Sequence, residues 1–142
     1  MPSHNSTVEL AGRLKALADE TRLHMLALLA EHRELCVCNF EYALEITQSK
    51  ASRHLRYLYH AGIVDERRQG VWIHYRLADD LEPAMRVIVT SVRKALDPRI
   101  LDYLDERLQC SLAVRTCYSE GSCASSGQGS RPILAGPSRN ET

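Results

Sequence analysis

Five cysteines are the residues of this 142-residue chain whose type and spacing point to chemistry. Cys36 and Cys38 stand one residue apart, and Cys110, Cys117 and Cys123 are spread toward the C-terminus. Thiolates are nucleophiles and ligands for soft ions. The first residues are polar, without the apolar stretch of a secretory signal, and no run approaches the ~18 apolar residues of a membrane span. In a chain expected in the cytoplasm, free thiols, ion ligands or redox groups fit better than a disulfide scaffold. The 36/38 spacing also has a mechanical consequence. Two residues apart on an α-helix, side chains diverge by about 200° and cannot share one ion, whereas in an extended segment they point to the same side. Residues 37–46 read as a short, weak helix, so capture of one ion by both sulfurs is expected to unwind its first turn. The competing fate of such a pair is burial as two small hydrophobes.

A second group of residues is set up to meet phosphate and base edges. The chain has no net charge, but its charges are unevenly distributed. Residues 1–47 carry four basic and seven acidic side chains, 48–76 six and two, and 77–108 five and seven. A basic middle between acidic flanks is the footprint of a nucleic-acid surface. On a helix over 48–61, Arg53, His54 and Tyr57 fall within about 60° of Lys50, forming one exposed stripe. Ala51, Leu55 and Leu58 form the packing stripe. The helix is thus held from behind while its front reads a major groove. Lys50 and Arg53 suit guanine or phosphate, and His54 and Tyr57 reach bases or backbone. Ser49, Ser52 and Arg56 position the helix on phosphates, and Gln48 is a further DNA-binding candidate. Arg67, Arg68, His74 and Arg76 follow on a hairpin, placed to lie along the adjacent groove.

These groups need a particular scaffold. Leu10, Leu14, Leu17 and Ala18 recur at helical spacing, and Asp19 suits the N-cap of a second helix carrying Leu23, Leu26 and Ala30. Thr47 caps the reading helix, and Gly62 ends it. Val71, Ile73, Tyr75 and Leu77 then alternate with Trp72, His74 and Arg76, a strand with one buried face. Residues 63–67 supply its partner, joined through Arg68-Gln69-Gly70. An amphipathic helix follows over 80–96, and Asp97-Pro98 interrupts it before a second short helix carrying Ile100, Leu101, Leu104 and Leu108. The expected fold is mainly α with a β-hairpin wing, a dimeric winged helix-turn-helix in the order α-α-α-α-β-β-α. Residues 1–97 form the DNA-binding and dimerisation domain, 98–118 a C-terminal helix with a cysteine-bearing extension, and the Ser/Gly-rich 119–142 a disordered tail.

Several of these segments carry a family resemblance. Gln48-Ser49-Lys50-Ala51-Ser52-Arg53-His54-Leu55, then Ala61-Gly62-Ile63-Val64, then residues 67–77, together with Ala16-Leu17-Ala18-Asp19-Glu20-Thr21-Arg22, resemble the ArsR/SmtB repressors over roughly residues 8–96. The resemblance implies a homodimer, joined through the first helix and the helix after the wing, on a palindromic double-stranded operator. Glu34-Leu35-Cys36-Val37-Cys38-Asn39-Phe40 is similar to the cysteine box of arsenic-responsive members. Cys36 and Cys38 match it, while Glu41 stands in place of its third cysteine and Asn39 in place of its aspartate. What this implies is a repressor induced by As(III), with Sb(III), methylated As(III), cadmium and lead as alternatives, and with no organic cofactor. As(III) takes three thiolates and methylated As(III) two. The third sulfur is then Cys110 or Cys117, with Cys123 a poorer choice, or the three tail cysteines form a site of their own.

Other classes fit less well. A zinc or cobalt site of the family's kind needs histidine on the helix after the wing, and residues 78–109 contain none. Cadmium and lead sensors draw cysteines from the N-terminal arm, and residues 1–35 have none. Enzymatic thiol chemistry of the Cys-x5-Arg kind is not expected, because Cys110 and Arg115 are one residue too close. A thiol redox switch stays open beside ion capture. For the reading helix, Arg53→Ala is expected to weaken operator binding by ~1–3 kcal/mol without unfolding the protein. Titration of labelled operator checks this, and unchanged affinity would move the reading face elsewhere.

Overall fold

A computed structural model describes the backbone of residues 4–119 and the side chains of 6–113. The element order is α1 (His4–Leu17), α2 (Glu20–Glu31), β1 (Leu35–Cys36), α3 (Val37–Leu44), α4 (Gln48–His60), β2 (Val64–Gln69), β3 (Trp72–Leu77), α5 (Pro83–Ala95) and α6 (Pro98–Ser119). This is a winged helix-turn-helix, as the periodicities predict. The helix starts are set locally. Asp19 Oδ1 accepts from the Arg22 amide at 3.0 Å, and Thr47 Oγ1 accepts from the Lys50 amide at 3.2 Å. Each satisfies one of the amides a helix leaves without a partner at its start. Glu45, left-handed at φ 55°, closes α3, and Gly62 at φ 75° follows the end of α4 and lets the chain reverse into β2.

The core is shared by every layer. Met25, Leu26 and Leu28 of α2, Phe40 of α3, Leu55 and Leu58 of α4, Ile63, Met85 and Val89 of α5, and Leu108 of α6 are all fully buried. The wing is the antiparallel β2–β3 ladder, with Gln69 opposite Trp72. Its turn is the pair Gly70-Val71, one residue later than the sequence suggests, and Gly70 supplies the positive φ of 60° that such a hairpin turn requires.

The structure departs from the sequence expectations in four places. Leu35–Cys36 form a third strand, antiparallel to β3, giving the sheet order β1-β3-β2. Two residues are too few for a period-two pattern to register. Val71 occupies the wing turn and is 89% exposed, so the buried face of β3 rests on Tyr75, flanked by half-buried Ile73 and Leu77. The helix after the wing begins at Pro83, whose fixed φ suits the first helical turn. Finally, α6 does not stop near Gln109 but runs to Ser119, because its inner face is occupied by α3: Leu104, Leu108 and Ser111 are buried there. The tail expected over 119–142 lies, from residue 120 onward, outside the described residues.

Because Leu108 is fully buried, Leu108→Ala is expected to cost ~2–5 kcal/mol of stability by urea unfolding. A loss well under 1 kcal/mol would show that α6 does not belong to the core.

Candidate thiol site and nucleic-acid interface

Cys36 holds two structural positions at once. It is the last residue of β1, paired with His74 of the wing strand, and it is the N-cap of α3 in extended geometry (φ −85°, ψ 157°). Its sulfur accepts from the Cys38 amide at 3.3 Å, and its own amide donates to Asn39 Oδ1 at 2.9 Å, a reciprocal capping box with sulfur in the usual oxygen's place. Cys38 sits in the first turn. With one residue extended and the other helical, the two cysteines are paired as a disulfide, the Cα atoms being 5.4 Å apart. The expectation that convergence requires unwinding is thereby corrected. The 200° divergence holds only when both residues are inside the helix, and Cys36 is outside it.

Several contacts tie this pair and the helix it caps to the rest of the molecule. Glu34, just before β1, accepts from Arg67 Nε at 3.1 Å, makes a second, shorter contact with Arg67 Nη2, and lies 3.7 Å from His74 Nδ1. The Arg67 guanidinium holds the Glu34 carboxyl below the usual range. On the other side, the Asn39 side-chain amide donates to Ser111 Oγ at 3.0 Å in a buried contact, linking the cap to α6. Arg107 of α6 donates to the Tyr42 carbonyl at 2.8 and 3.1 Å, and Tyr103 donates to Glu45 at 2.9 Å. In front of the sulfurs lies a cleft of about 260 Å³, lined by Cys36, Cys38 and Glu41, by Gln48 and Ser52 of α4, and by Val71, Trp72 and Ile73 of the wing. Burial raises the Glu41 carboxyl above its ordinary value.

Among the described residues no third sulfur joins the pair. Cys110 lies exposed on α6, and among the described residues no three of His, Cys, Asp and Glu gather as a metal site. Cys117 belongs to α6, but its side chain lies outside the described residues, as does all of Cys123.

Along α4, Gln48, Ser49, Lys50, Arg53, Arg56 and Tyr57 are exposed, and Ser52 is half-buried at the cleft. His54 departs from this stripe. Its side chain is only 12% exposed, with Nδ1 3.2 Å from Arg22 Nη1 and 3.8 Å from Asp19 Oδ1. Arg22 also donates to the Ala16 carbonyl at 2.6 Å and stacks on Tyr57, 4.2 Å from the ring centroid. His54 therefore braces α4 against α2 instead of facing outward, because 40° from the stripe's centre is enough to bring it under Asp19. On the wing, Arg68 is exposed and Arg76 pairs with Asp79 at 2.9 Å, whereas Arg67 and His74 are engaged by Glu34. Of the residues expected to touch DNA, His54, Arg67 and His74 thus have intramolecular partners here.

A helix-turn-helix with a capped reading helix and a short wing also has relatives. The profile described as "Bacterial regulatory protein, arsR family" matches residues 19–66. The arsenic resistance transcriptional regulator ArsR1 of Pseudomonas putida is 42% identical over 91 residues, covering 61% of this chain and 71% of that protein. The chain belongs to the ArsR family. Members of this family are DNA-binding transcriptional regulators, not enzymes. The arsenical resistance operon repressor of Escherichia coli is 53% identical over 64 residues, 45% of this chain and 55% of that one. The homodimeric winged helix-turn-helix DNA-binding domain Mb0332 of Mycobacterium bovis superposes with a TM-score of 0.54 at 29% identity, over 66% of this chain and 88% of that structure. No helix among the described residues is long and apolar enough to cross a membrane.

Sequence reasoning missed Glu34, Ser111, Trp72 and the Asp19–Arg22 pair. Glu34 had a readable signal, since residues 34 and 36 share a side of any extended segment. Ser111 had none, because its partner lies 72 residues away.

Burial pushes the His54 imidazole below its ordinary 6.5, only partly opposed by Asp19, and Arg22, Lys50 and Arg53 add to the depression. A lowered folded value means that stability from neutral His54 is complete above about pH 6.5 and is lost as pH falls through the folded value. The drop in urea midpoint between about pH 7.5 and about pH 5 is therefore expected to be smaller in His54→Gln than in the parent. Equal drops would remove the neutral imidazole from the stability of the α2–α4 contact.

Proposed function

We propose that this chain is a homodimeric repressor that releases its operator when Cys36 and Cys38 capture trivalent arsenic, with antimony(III) as a second inducer of the same chemistry. The observation that carries the reading is the pairing of Cys36 with Cys38 at the cap of α3, beside a cleft walled by the reading helix and the wing, which leaves both sulfurs within reach of one ion once the disulfide is reduced. The names of the Pseudomonas putida and Escherichia coli relatives support arsenic as the ion class. Capture needs no unwinding of α3. An ion on the sulfurs fills space bordered by Gln48, Ser52 and Trp72, and so changes how the α4 N-terminus sits against the wing. A coupling of about 3 kcal/mol through that contact weakens operator binding by roughly a hundredfold or more. Phosphate and base contacts are assigned to Gln48, Ser49, Lys50, Ser52, Arg53, Arg56 and Tyr57 of α4 and to Arg68 and Arg76 of the wing. Where inorganic arsenic takes a third sulfur, it comes from Cys110 or from the chain beyond it.

Dimerisation is proposed through α1 and α5. Val8 (61%), Leu10 (43%) and Leu14 (43%) on α1 and Val87 (64%) on α5 leave apolar surface open in the single chain, and such surface calls for a partner. The M. bovis domain is described as homodimeric.

A thiol redox switch is the second reading, favoured by the pairing of Cys36 with Cys38 as a disulfide. The two readings separate under full reduction. Arsenite is then expected to release labelled operator from the parent protein, while Cys36→Ser keeps operator affinity and loses release. Release that needs an oxidant supports the switch, and normal release from Cys36→Ser transfers the site to the tail cysteines.

A further inference from the structure

Arg22 stands at the start of α2, outside every element expected to touch DNA, yet its guanidinium meets two side chains of the reading helix. Nη1 lies 3.2 Å from His54 Nδ1, and the planar group stacks over the Tyr57 ring, 4.2 Å from its centroid. A guanidinium has donors only, so His54 Nδ1 accepts and the neutral imidazole carries its proton on Nε2. His54 and Tyr57 are three residues apart and share one face of α4.

The other donors of Arg22 are directed backward. Nε donates to the Ala16 carbonyl at 2.6 Å, and Nη2 reaches the Lys15 carbonyl at 3.5 Å. Ala16 belongs to the last turn of α1, where a helix leaves carbonyls without partners. The Arg22 amide donates to Asp19 Oδ1 at 3.0 Å in the cap of α2. One guanidinium is therefore pinned to α1 and α2 while its face and one edge hold α4. Tyr57 is 45% exposed. An exposed side chain of this kind otherwise samples several rotamers, and ordering it on association costs affinity.

We propose that Arg22 is a positioning residue for operator binding: it holds the Tyr57 ring in one orientation in the free protein, so the reading stripe meets the groove already formed. The inference rests on the reading above that Tyr57 faces the operator. Arg22 acts through Tyr57 and makes no phosphate contact of its own. Lysine does not replace it, since an ammonium has neither a flat face for stacking nor a fork that reaches α1 and His54 at once.

The test uses the full chain and a labelled duplex selected by the parent protein from a random pool. Arg22→Lys keeps the charge and is expected to weaken binding roughly three- to tenfold, the cost of ordering one side chain on association. Tyr57→Leu removes the ring that the guanidinium holds. In that background, adding Arg22→Lys is expected to cost less than about twofold, because nothing is left to position. Arg22→Gln is expected to keep the slope of log affinity against log salt within about 0.5 of the parent, whereas loss of a phosphate contact reduces it by about one. In the free parent protein, NMR couplings of Tyr57 are expected to show a single χ1 rotamer.

Unweakened binding by Arg22→Lys, equal losses in both backgrounds, or a slope reduced by about one in Arg22→Gln would each overturn the inference. So would a Tyr57 side chain averaging over rotamers, a result that needs no folded Arg22 variant. Parent-like binding by Tyr57→Leu alone overturns the inference and leaves the rest of the α4 stripe standing. Parent-like binding by both Tyr57→Leu and Arg53→Ala overturns the assignment of that stripe to DNA as well.

Discussion

The fold turns on the backbone of Cys36, which ends a strand and caps a helix in the same residue. The extended φ and ψ let it pair with His74 of the wing, while its sulfur and amide complete the first turn of α3 with Cys38 and Asn39. A residue fixed from both sides cannot move alone. Any displacement of its sulfur is felt by the wing through β1 and Glu34, by the reading helix through α3, and by α6 through the Asn39–Ser111 contact. The thiol site and the DNA-facing elements are thus parts of one packed network, and a change at one has a short physical route to the other.

On the proposed reading, the regulatory chemistry falls where helix formation and sheet pairing meet. A sulfur in the cap position accepts a weaker hydrogen bond than an oxygen would, so it gives up that bond at modest cost when a soft ion arrives. Asn39 is suited to its place because an amide both accepts from Cys36 and donates to Ser111. Glu34 and Arg67 pair with each other and His74 lies beside them, leaving the exposed cations of α4, Lys50, Arg53 and Arg56, with Arg68 on the wing, as the basic outer surface.

Much of the scaffold was legible because its elements are long enough to display a period. The stripe of Ala51, Leu55 and Leu58, the caps at Asp19 and Thr47, and the alternation through Tyr75 are local signals. The two cysteines were legible by spacing, but their geometry was not. The expected helix start at residue 37 agrees with the structure, and the unwinding was expected only because the in-helix divergence was applied to Cys36, which lies at the cap outside it. His54 shows the complementary limit, since its place on the wheel says nothing of the Asp19–Arg22 pair above it. The length of α6 followed from packing against α3, a contact between segments some seventy residues apart.

The claim most exposed to test is that α3 remains wound while both sulfurs hold one ion. Amide hydrogen exchange on the reduced protein, with and without bound arsenical, measures this at the Cys38 and Asn39 amides and along the rest of α3. The account predicts that protection through residues 39–44 is kept or rises on binding. Loss of that protection, with the first turn exchanging like open chain, would contradict it.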